Sequence, residues 1–203
     1  MNQGEKRQRK YLVGIDEAGR GPLAGPVAVG VVVISSRRST RCFKHVRDAK
    51  MSSALQRERW LHEMKKAREN DLLNFTASLV GPQIIDREGI VRAMQYAIRR
   101  SLYRLEVNPL STQILLDGAL RAPTRYLNQK TIIKGDEKET IIAMASVVAK
   151  TYRDKKMMRF AKKFPGYGFE KHKGYGTKAH YKAIKKCGLC EIHRRSFLKN
   201  LSN

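Results

Sequence analysis

Short unbroken apolar runs near the start of the chain predict two neighbouring strands. Residues 11–13 begin the first run, and residues 27–34, VAVGVVVI, form the second. Because a strand that is covered on both faces has no polar alternation, the second run indicates a central strand of a sheet. The intervening Gly19-Arg20-Gly21-Pro22 cannot comfortably continue a strand and predicts a turn. We therefore expect the two strands to pair across this glycine-rich turn.

Strand and helix patterns then alternate along the chain. Further runs of strand type lie at residues 74–80, 114–116 and 131–133. Apolar residues at helical spacing predict helices that begin near Ser53, at Ile90 and after Asp136, and a final helix over residues 178–186. This order predicts an α/β fold with a mixed β-sheet flanked by helices and a small C-terminal extension of helix and loop.

The length of 203 residues allows one well-cored domain and no second full enzyme domain. We expect residues 1–10 to be a disordered basic arm that adds nonspecific phosphate contacts, and residues 11–203 to be one catalytic domain. Residues 164–180 hold four glycines and four aromatic residues, which is typical of an ordered, functional loop. We assign substrate binding to the C-terminal segment, residues 156–203.

The charge balance indicates a polyanionic partner. Lys and Arg number 42 against 18 Asp and Glu, which gives a formal net charge of +24. Such an imbalance repels itself and exceeds what solubility requires, so we expect nucleic acid rather than a merely solvated basic surface. The apolar runs are far shorter than a membrane span, and no signal peptide is evident, so we expect a cytoplasmic protein without a membrane segment.

The three cysteines form no disulfide framework, which suits a reducing compartment. Cys187 and Cys190 have the spacing of half a zinc site or a redox pair, but no second such pair follows. We therefore expect neither function from them.

Acidic residues stand where predicted strands end. Asp16 and Glu17 close the first strand, and Asp117 and Asp136 follow two later ones. A sheet can bring such strand ends together, and crowded carboxylates cannot all stay ionised without cations. Oxygen ligands suit the hard ions Mg²⁺ and Mn²⁺, so we predict a divalent metal site. Taken alone, an acid after a strand is also a common turn former or helix cap, and Asp136 occupies such a position.

Several motifs in one order resemble the ribonuclease HII family. Asp16-Glu17-Ala18-Gly19-Arg20-Gly21 opens the series and Leu23-Ala24-Gly25-Pro26-Val27 follows. The later motifs are Leu116-Asp117-Gly118, Lys134-Gly135-Asp136, residues 145–150 with Arg153-Asp154, residues 171–177 and residues 193–197. The resemblance covers residues 11–198 and implies an RNase H-like fold. It also implies that Asp16, Glu17, Asp117 and Asp136 bind metal and carry catalysis, with two Mg²⁺ or Mn²⁺ ions.

The resemblance further implies how the substrate is read. Selectivity for RNA requires contact with the 2′-hydroxyl, and the turn Gly19-Arg20-Gly21 allows close backbone approach to a ribose. In the family this turn contacts the ribonucleotide, and a tyrosine at the position of Tyr175 packs against the following deoxyribose. Lys50, Lys173 and Arg194 are expected phosphate contacts. Ala49 replaces the serine that the family usually carries, which removes one hydroxyl near Lys50.

The expected activity is that of a monomeric endoribonuclease. It would hydrolyse the RNA strand of RNA–DNA hybrids and cut duplex DNA 5′ to an embedded ribonucleotide, leaving a 3′-hydroxyl and a 5′-phosphate. One alternative is a noncatalytic, ribosomal-like nucleic-acid-binding protein, which fits the charge but leaves the four acids unexplained. Another is a DNA nuclease or integrase on a related scaffold, against which the Gly-Arg-Gly turn and Tyr175 argue. The histidines His172, His180 and His193 are expected to be hydrogen-bonded structural residues or substrate-side residues rather than metal ligands.

Overall fold

The computed structural model describes residues 11–35, 37–46 and 52–198. Within these residues the chain forms a five-stranded mixed sheet in the order β3-β2-β1-β4-β5. The strands are β1 (Tyr11–Ala18), β2 (Val27–Ile34), β3 (Asn74–Val80), β4 (Thr112–Asp117) and β5 (Gln129–Ile132). β1 to β3 form an antiparallel meander, and β4 and β5 continue the sheet parallel to β1. The predicted pairing of the first two strands and the predicted mixed sheet are confirmed.

Helices cover both faces of the sheet. They are α1 (Ala54–Glu69), α2 (Pro82–Glu88), α3 (Ile90–Arg104), α4 (Gly135–Lys138), α5 (Thr140–Lys163), α6 (Phe169–His172) and α7 (Lys178–Cys187). Short 3₁₀ turns span Arg37–Val46, Pro109–Ser111 and Arg195–Phe197. One core layer joins α1 and α5 to the sheet, and its Trp60 is buried as a packing residue. The other layer joins α3 to the opposite face.

Two glycines bring α5 directly onto the strands. A Cβ on Gly30 of β2 would lie 2.8 Å from the Ala149 backbone nitrogen and would overlap the Ala145 carbonyl oxygen. A Cβ on Gly14 of β1 would overlap the Ile141 carbonyl oxygen in the same way. Because only glycine leaves this space, the helix backbone packs against the strand backbone and carries its polar side chains to the end of β1.

The C-terminal extension docks onto the loop between β1 and β2. The Leu23 amide donates to the Gly174 carbonyl (2.8 Å), and the Arg194 amide donates to the Leu23 carbonyl (2.8 Å). A small separate core supports this docking, with Phe169 fully buried at its centre. The extension is therefore fixed beside the glycine-rich turn.

The predicted boundaries differ slightly from those observed. The last strand begins at Gln129 and ends at Ile132 rather than Ile133, whose side chain is exposed. The helix after Asp136 is divided into α4 and α5, and α7 runs one residue further, to Cys187. In the described parts of the chain, every helix is too short or too polar to cross a bilayer.

Candidate active site

Three carboxylates meet at one edge of the sheet. Asp16 and Glu17 lie at the end of β1, and Asp117 is the last residue of β4. Because β1 and β4 are parallel neighbours, their carboxyl ends meet at the same edge. One oxygen from each of the three side chains lies within 4.8 Å of the others. The sequence prediction that these acids converge is thus confirmed for three of the four.

The electrostatics of this group favour a bound cation. Burial, with smaller contributions from the charges of Glu17 and Asp117, raises the pKa of Asp16 to about 8. Burial and Asp117 also raise the pKa of Glu17, while Arg20 opposes the shift. Glu17 Oε2 is buried without a hydrogen-bond partner among the described residues. Three crowded oxygen donors with an unused buried lone pair fit a hard divalent cation.

Asp136 lies beside this group rather than within it. Its side chain is buried in the first turn of α4, and the preceding Gly135 amide donates to Asp117 Oδ1 at 2.6 Å. Asp136 is not one of the three carboxylates that converge, among the residues the structure describes. Lys134 occupies the N-cap position of α4, so Asp136 is not the cap either. Its predicted role in metal binding stays a prediction.

A cleft of about 530 Å³ opens next to the carboxylates. Its walls combine the glycine-rich turn with residues of α1, α5 and the C-terminal extension: Glu17, Ala18, Gly19, Arg20, Gly21, Arg57, Lys150, Arg153, Asp154, Lys173 and Tyr175. Tyr175 is 49% exposed in this cleft. The structure therefore brings together five predicted substrate contacts, namely Gly19, Arg20, Gly21, Lys173 and Tyr175. Lys50 and Ala49 lie outside the described residues.

The prediction that Arg194 contacts phosphate is wrong, because the side chain is fully buried. Its guanidinium instead donates to the carbonyl oxygens of Gly19 (2.6 Å), Arg20 (2.9 Å) and Gly25 (2.9 Å). Burial, and then the neighbouring charge of Arg153, lowers the pKa of Arg194 to about 9, so it stays charged at neutral pH. Arg194 thus holds the glycine-rich turn from the inside.

Arg153 is a second buried arginine at the cleft, and its role was not predicted. It donates to the carbonyl oxygens of Pro26 (3.0 Å) and Lys173 (2.9 Å), and its Cζ lies 5.7 Å from the ring centre of Tyr175. It therefore joins the β1–β2 loop to the loop that carries Tyr175. Gly19 has a φ of +82°, and a Cβ there would overlap the Arg153 side chain. Only glycine fits this position.

Comparison with known proteins identifies the family. Residues 13–200 match the family model described as Ribonuclease HII. The chain belongs to the ribonuclease HII family. It is 41% identical over 201 residues to a ribonuclease HII of Caldicellulosiruptor bescii, covering 99% of this chain and 91% of that protein. Family membership makes it a type 2 ribonuclease H, an endoribonuclease, and sets aside the noncatalytic binding protein and the DNA nuclease as alternatives.

Solved structures of similar fold include ribonucleases HII and HIII. The ribonuclease HII of Archaeoglobus fulgidus, solved in complex with PCNA, has a TM-score of 0.73 at 24% identity. That match covers 91% of this chain and 93% of the other. Bst-RNase HIII, solved in complex with Mn²⁺, has a TM-score of 0.65 at 15% identity, covering 95% of this chain and 66% of the other. At these identities the comparison shows the common fold.

A histidine network supports the tyrosine loop of this ribonuclease HII. The Tyr175 carbonyl can only accept, so His180 Nδ1 carries the proton of their 2.9 Å hydrogen bond. His180 Nε2 then accepts from His193 Nε2 (3.1 Å), and His193 Nδ1 accepts from the Cys190 amide (2.9 Å). Both rings are therefore neutral, and burial lowers the pKa of His180 to about 4. The prediction that these histidines are hydrogen-bonded is confirmed.

One remaining acid of the cleft is paired rather than free. Asp154 Oδ2 accepts from Arg57 Nη2 at 2.8 Å, which joins α5 to α1. A local signal also existed for Arg153: Ala149 and Met157 lie four residues before and after it, and both are buried. That spacing places Arg153 on the inward face of α5.

Proposed function

We propose that this ribonuclease HII hydrolyses the RNA strand of RNA–DNA hybrids and cuts duplex DNA on the 5′ side of a single embedded ribonucleotide. The products would be a 3′-hydroxyl and a 5′-phosphate. The observation that supports this best is the presence of three converging carboxylates and the Gly19-Arg20-Gly21 turn in one cleft. A site that hydrolyses a phosphodiester and a site that recognises ribose are then neighbours.

A divalent cation, either Mg²⁺ or Mn²⁺, would be held by the carboxylates of Asp16, Glu17 and Asp117. Asp136 would complete the site for two ions. The ions would activate water and stabilise the leaving 3′-oxygen. The raised pKa values of Asp16 and Glu17 support this assignment, because a cation relieves the repulsion that causes part of the shift. Glu17 has a further unused buried oxygen that is suited to a ligand bond.

The backbone of the turn would read the 2′-hydroxyl. In a trans peptide the carbonyl and the following amide point in opposite directions. Because the carbonyls of Gly19 and Arg20 point at Arg194, the amides of Arg20 and Gly21 point away from it. A Cβ on Gly21 would have no neighbour within 4 Å, so the turn is open at that residue. These two amides are our candidates for hydrogen bonds to the ribose.

Tyr175 would pack against the sugar that follows the ribonucleotide. Its ring is half exposed, and Arg153 and His180 fix it from the ring side and the backbone side respectively. Lys173 would contact phosphate from the same wall of the cleft. For Lys50, which lies outside the described residues, we propose a phosphate contact from the sequence alone.

The test is cleavage of a labelled DNA duplex that carries one ribonucleotide, with Mg²⁺ or Mn²⁺, comparing the native chain with Asp16→Asn. We expect metal-dependent cutting 5′ to the ribonucleotide that is lost in the variant. An all-DNA duplex and a duplex with a 2′-O-methyl nucleotide are matched controls that should remain intact. Equal cutting of the all-DNA duplex, or full activity of Asp16→Asn, would contradict the proposed substrate or the proposed site respectively.

A further inference from the structure

The outward face of α3 alternates arginine and tyrosine. Arg92, Tyr96, Arg99 and Tyr103 follow one another at spacings of four, three and four residues, which places them on one stripe of the helix. The stripe is roughly 16 Å long at 1.5 Å per residue. The inward face of the same helix supplies the core residues Ala93, Met94, Ala97, Ile98 and Leu102. The packing of α3 therefore does not require the stripe.

The two tyrosines of the stripe are exposed in a way that folding does not explain. Tyr103 is 78% exposed and Tyr96 is 37% exposed. An aromatic side chain loses rotamer freedom in a helix and is normally compensated by burial. Tyr96 is partly buried, and Arg99 also contacts its ring, since the Arg99 Cζ lies 5.6 Å from the ring centre. The Tyr96 ring is thereby held while about a third of the residue stays in solvent.

A groove of about 460 Å³ runs beside the stripe. Its lining residues are Val80, Ile84, Tyr96, Arg99, Arg100, Tyr103 and Arg125, and none of these is acidic. Arg100 is held in place by the Leu79 carbonyl oxygen (2.7 Å) and Ser78 Oγ (3.2 Å). The groove thus combines apolar and aromatic surface with three arginine side chains.

The groove reaches the same edge of the sheet as the carboxylates. Val80, at the end of β3, pairs with Val27 at the start of β2, next to the pairing of Ala28 with Ala18 on β1. Two strand spacings separate β3 from β1, or about 10 Å. α3 lies on the face opposite α5, so the groove is separate from the cleft that contains Tyr175. A nucleic acid strand that leaves the cleft would therefore need to span only a short distance to reach the groove.

We propose that the groove and stripe, Arg92 to Tyr103 of α3 with Arg100 and Arg125, bind an unpaired nucleic acid strand. Bases stack on Tyr96 and Tyr103, and phosphates lie against the arginines. Stacking on exposed rings requires bases that are not already paired, which favours a single strand over duplex. All the charged residues of the lining are arginines, which complements phosphate. This site uses neither the metal nor the ribose-reading turn, so it extends the protein's contacts beyond the proposed function.

The test measures the affinity of the full chain for a fluorescent single-stranded oligodeoxynucleotide and for a blunt duplex of equal length, both in EDTA. The variant is Tyr96→Ala/Tyr103→Ala. Its control is Tyr152→Ala, which removes from α5 a tyrosine whose exposure (36%) is similar to that of Tyr96. Stacking is worth about 1–3 kcal/mol per base, so the double variant should bind the single strand at least about thirtyfold more weakly.

Other readouts separate this surface from the catalytic cleft. In the double variant, duplex affinity and cleavage of a blunt duplex with one ribonucleotide should be unchanged. Arg99→Ala should reduce the slope of log affinity against log salt concentration for the single strand by about 0.7 per lost phosphate contact.

Three results would overturn the proposal. The first is that the double variant binds the single strand as tightly as Tyr152→Ala does. The second is that the double variant loses as much affinity for the duplex as for the single strand. The third is that polyglutamate, a polyanion without bases, fully displaces the single strand from the native chain. Unchanged circular dichroism would show that the variants are folded.

Discussion

The hydrogen bonds of Arg194 lead to a quantitative prediction for Arg194→Lys. The guanidinium reaches three separate carbonyl oxygens, those of Gly19, Arg20 and Gly25, at 2.6–2.9 Å. Lysine keeps the charge, but its single nitrogen cannot reproduce the fixed fork of arginine. We expect two of the three bonds to be lost, each worth about 1.5–3 kcal/mol because the donor is charged. The free energy of unfolding should fall by about 3–6 kcal/mol.

This loss should have a catalytic counterpart, because the same bonds fix the turn that would read the ribose. A displacement of about 1 Å in a positioning element can reduce the rate about 10²-fold, and we expect kcat/KM on a duplex with one ribonucleotide to fall by that order. Urea unfolding measures the first quantity, and steady-state cleavage measures the second. Affinity for an all-DNA duplex should be retained, since the cleft keeps its lysines and arginines.

The neighbouring Arg195→Lys is the matched control. Arg195 is exposed, and the described hydrogen bond of this residue to Asp86 uses its backbone amide, which the substitution keeps. It should therefore leave both stability and kcat/KM unchanged. The reasoning would be refuted if Arg194→Lys unfolded at the same urea concentration as Arg195→Lys, or if it kept full kcat/KM despite lower stability.

Three further predictions follow from burial and charge. Gly30→Ala should lower the free energy of unfolding by about 3 kcal/mol, because its Cβ meets the backbone of α5; urea unfolding checks this, and Gly21→Ala, which meets nothing, should not destabilise. Asp16→Asn should raise the melting temperature of the metal-free protein at neutral pH, because the raised pKa of Asp16 makes folding take up a proton there, and it should abolish the stabilisation that Mg²⁺ gives the native chain; calorimetry with and without Mg²⁺ measures both. Because burial lowers the pKa of His180, only the unfolded chain takes up this proton between about pH 6.5 and 4; stability should fall as the pH falls through this range, and less steeply in His180→Gln.

The sheet and much of the site could be predicted because their determinants are local. An unbroken apolar run such as residues 27–34 has few alternatives to a buried strand, and an acid at the end of such a run must lie at a sheet edge. Asp16, Glu17 and Asp117 were therefore identifiable before their geometry was known. The glycine-rich turn was equally visible, because glycine and proline act on their own backbone.

The supporting arginines could not be predicted with the same success, because their partners are distant in sequence. Arg194 bonds to carbonyls that precede it by 169 to 175 positions, and nothing near residue 194 encodes them. A basic residue in a basic chain is most simply interpreted as a phosphate contact, and burial alone distinguishes the two roles. The position of Asp136 beside the three converging acids likewise depends on how α4 packs, which a local pattern does not specify.

The large sequence separation between Arg194 and its carbonyl partners also determines the order in which parts of the enzyme can form during synthesis. β1 and β2 are made early, and β4, which completes the three carboxylates, is made well before Arg194. The carbonyls of Gly19 and Arg20 receive their fixing donor only when the C-terminal extension docks. During synthesis the chain would thus gain the three acids proposed to bind cation first, and the fixed form of the turn proposed to read the ribose last. If both proposals hold, the nascent chain acquires its catalytic acids before its selectivity.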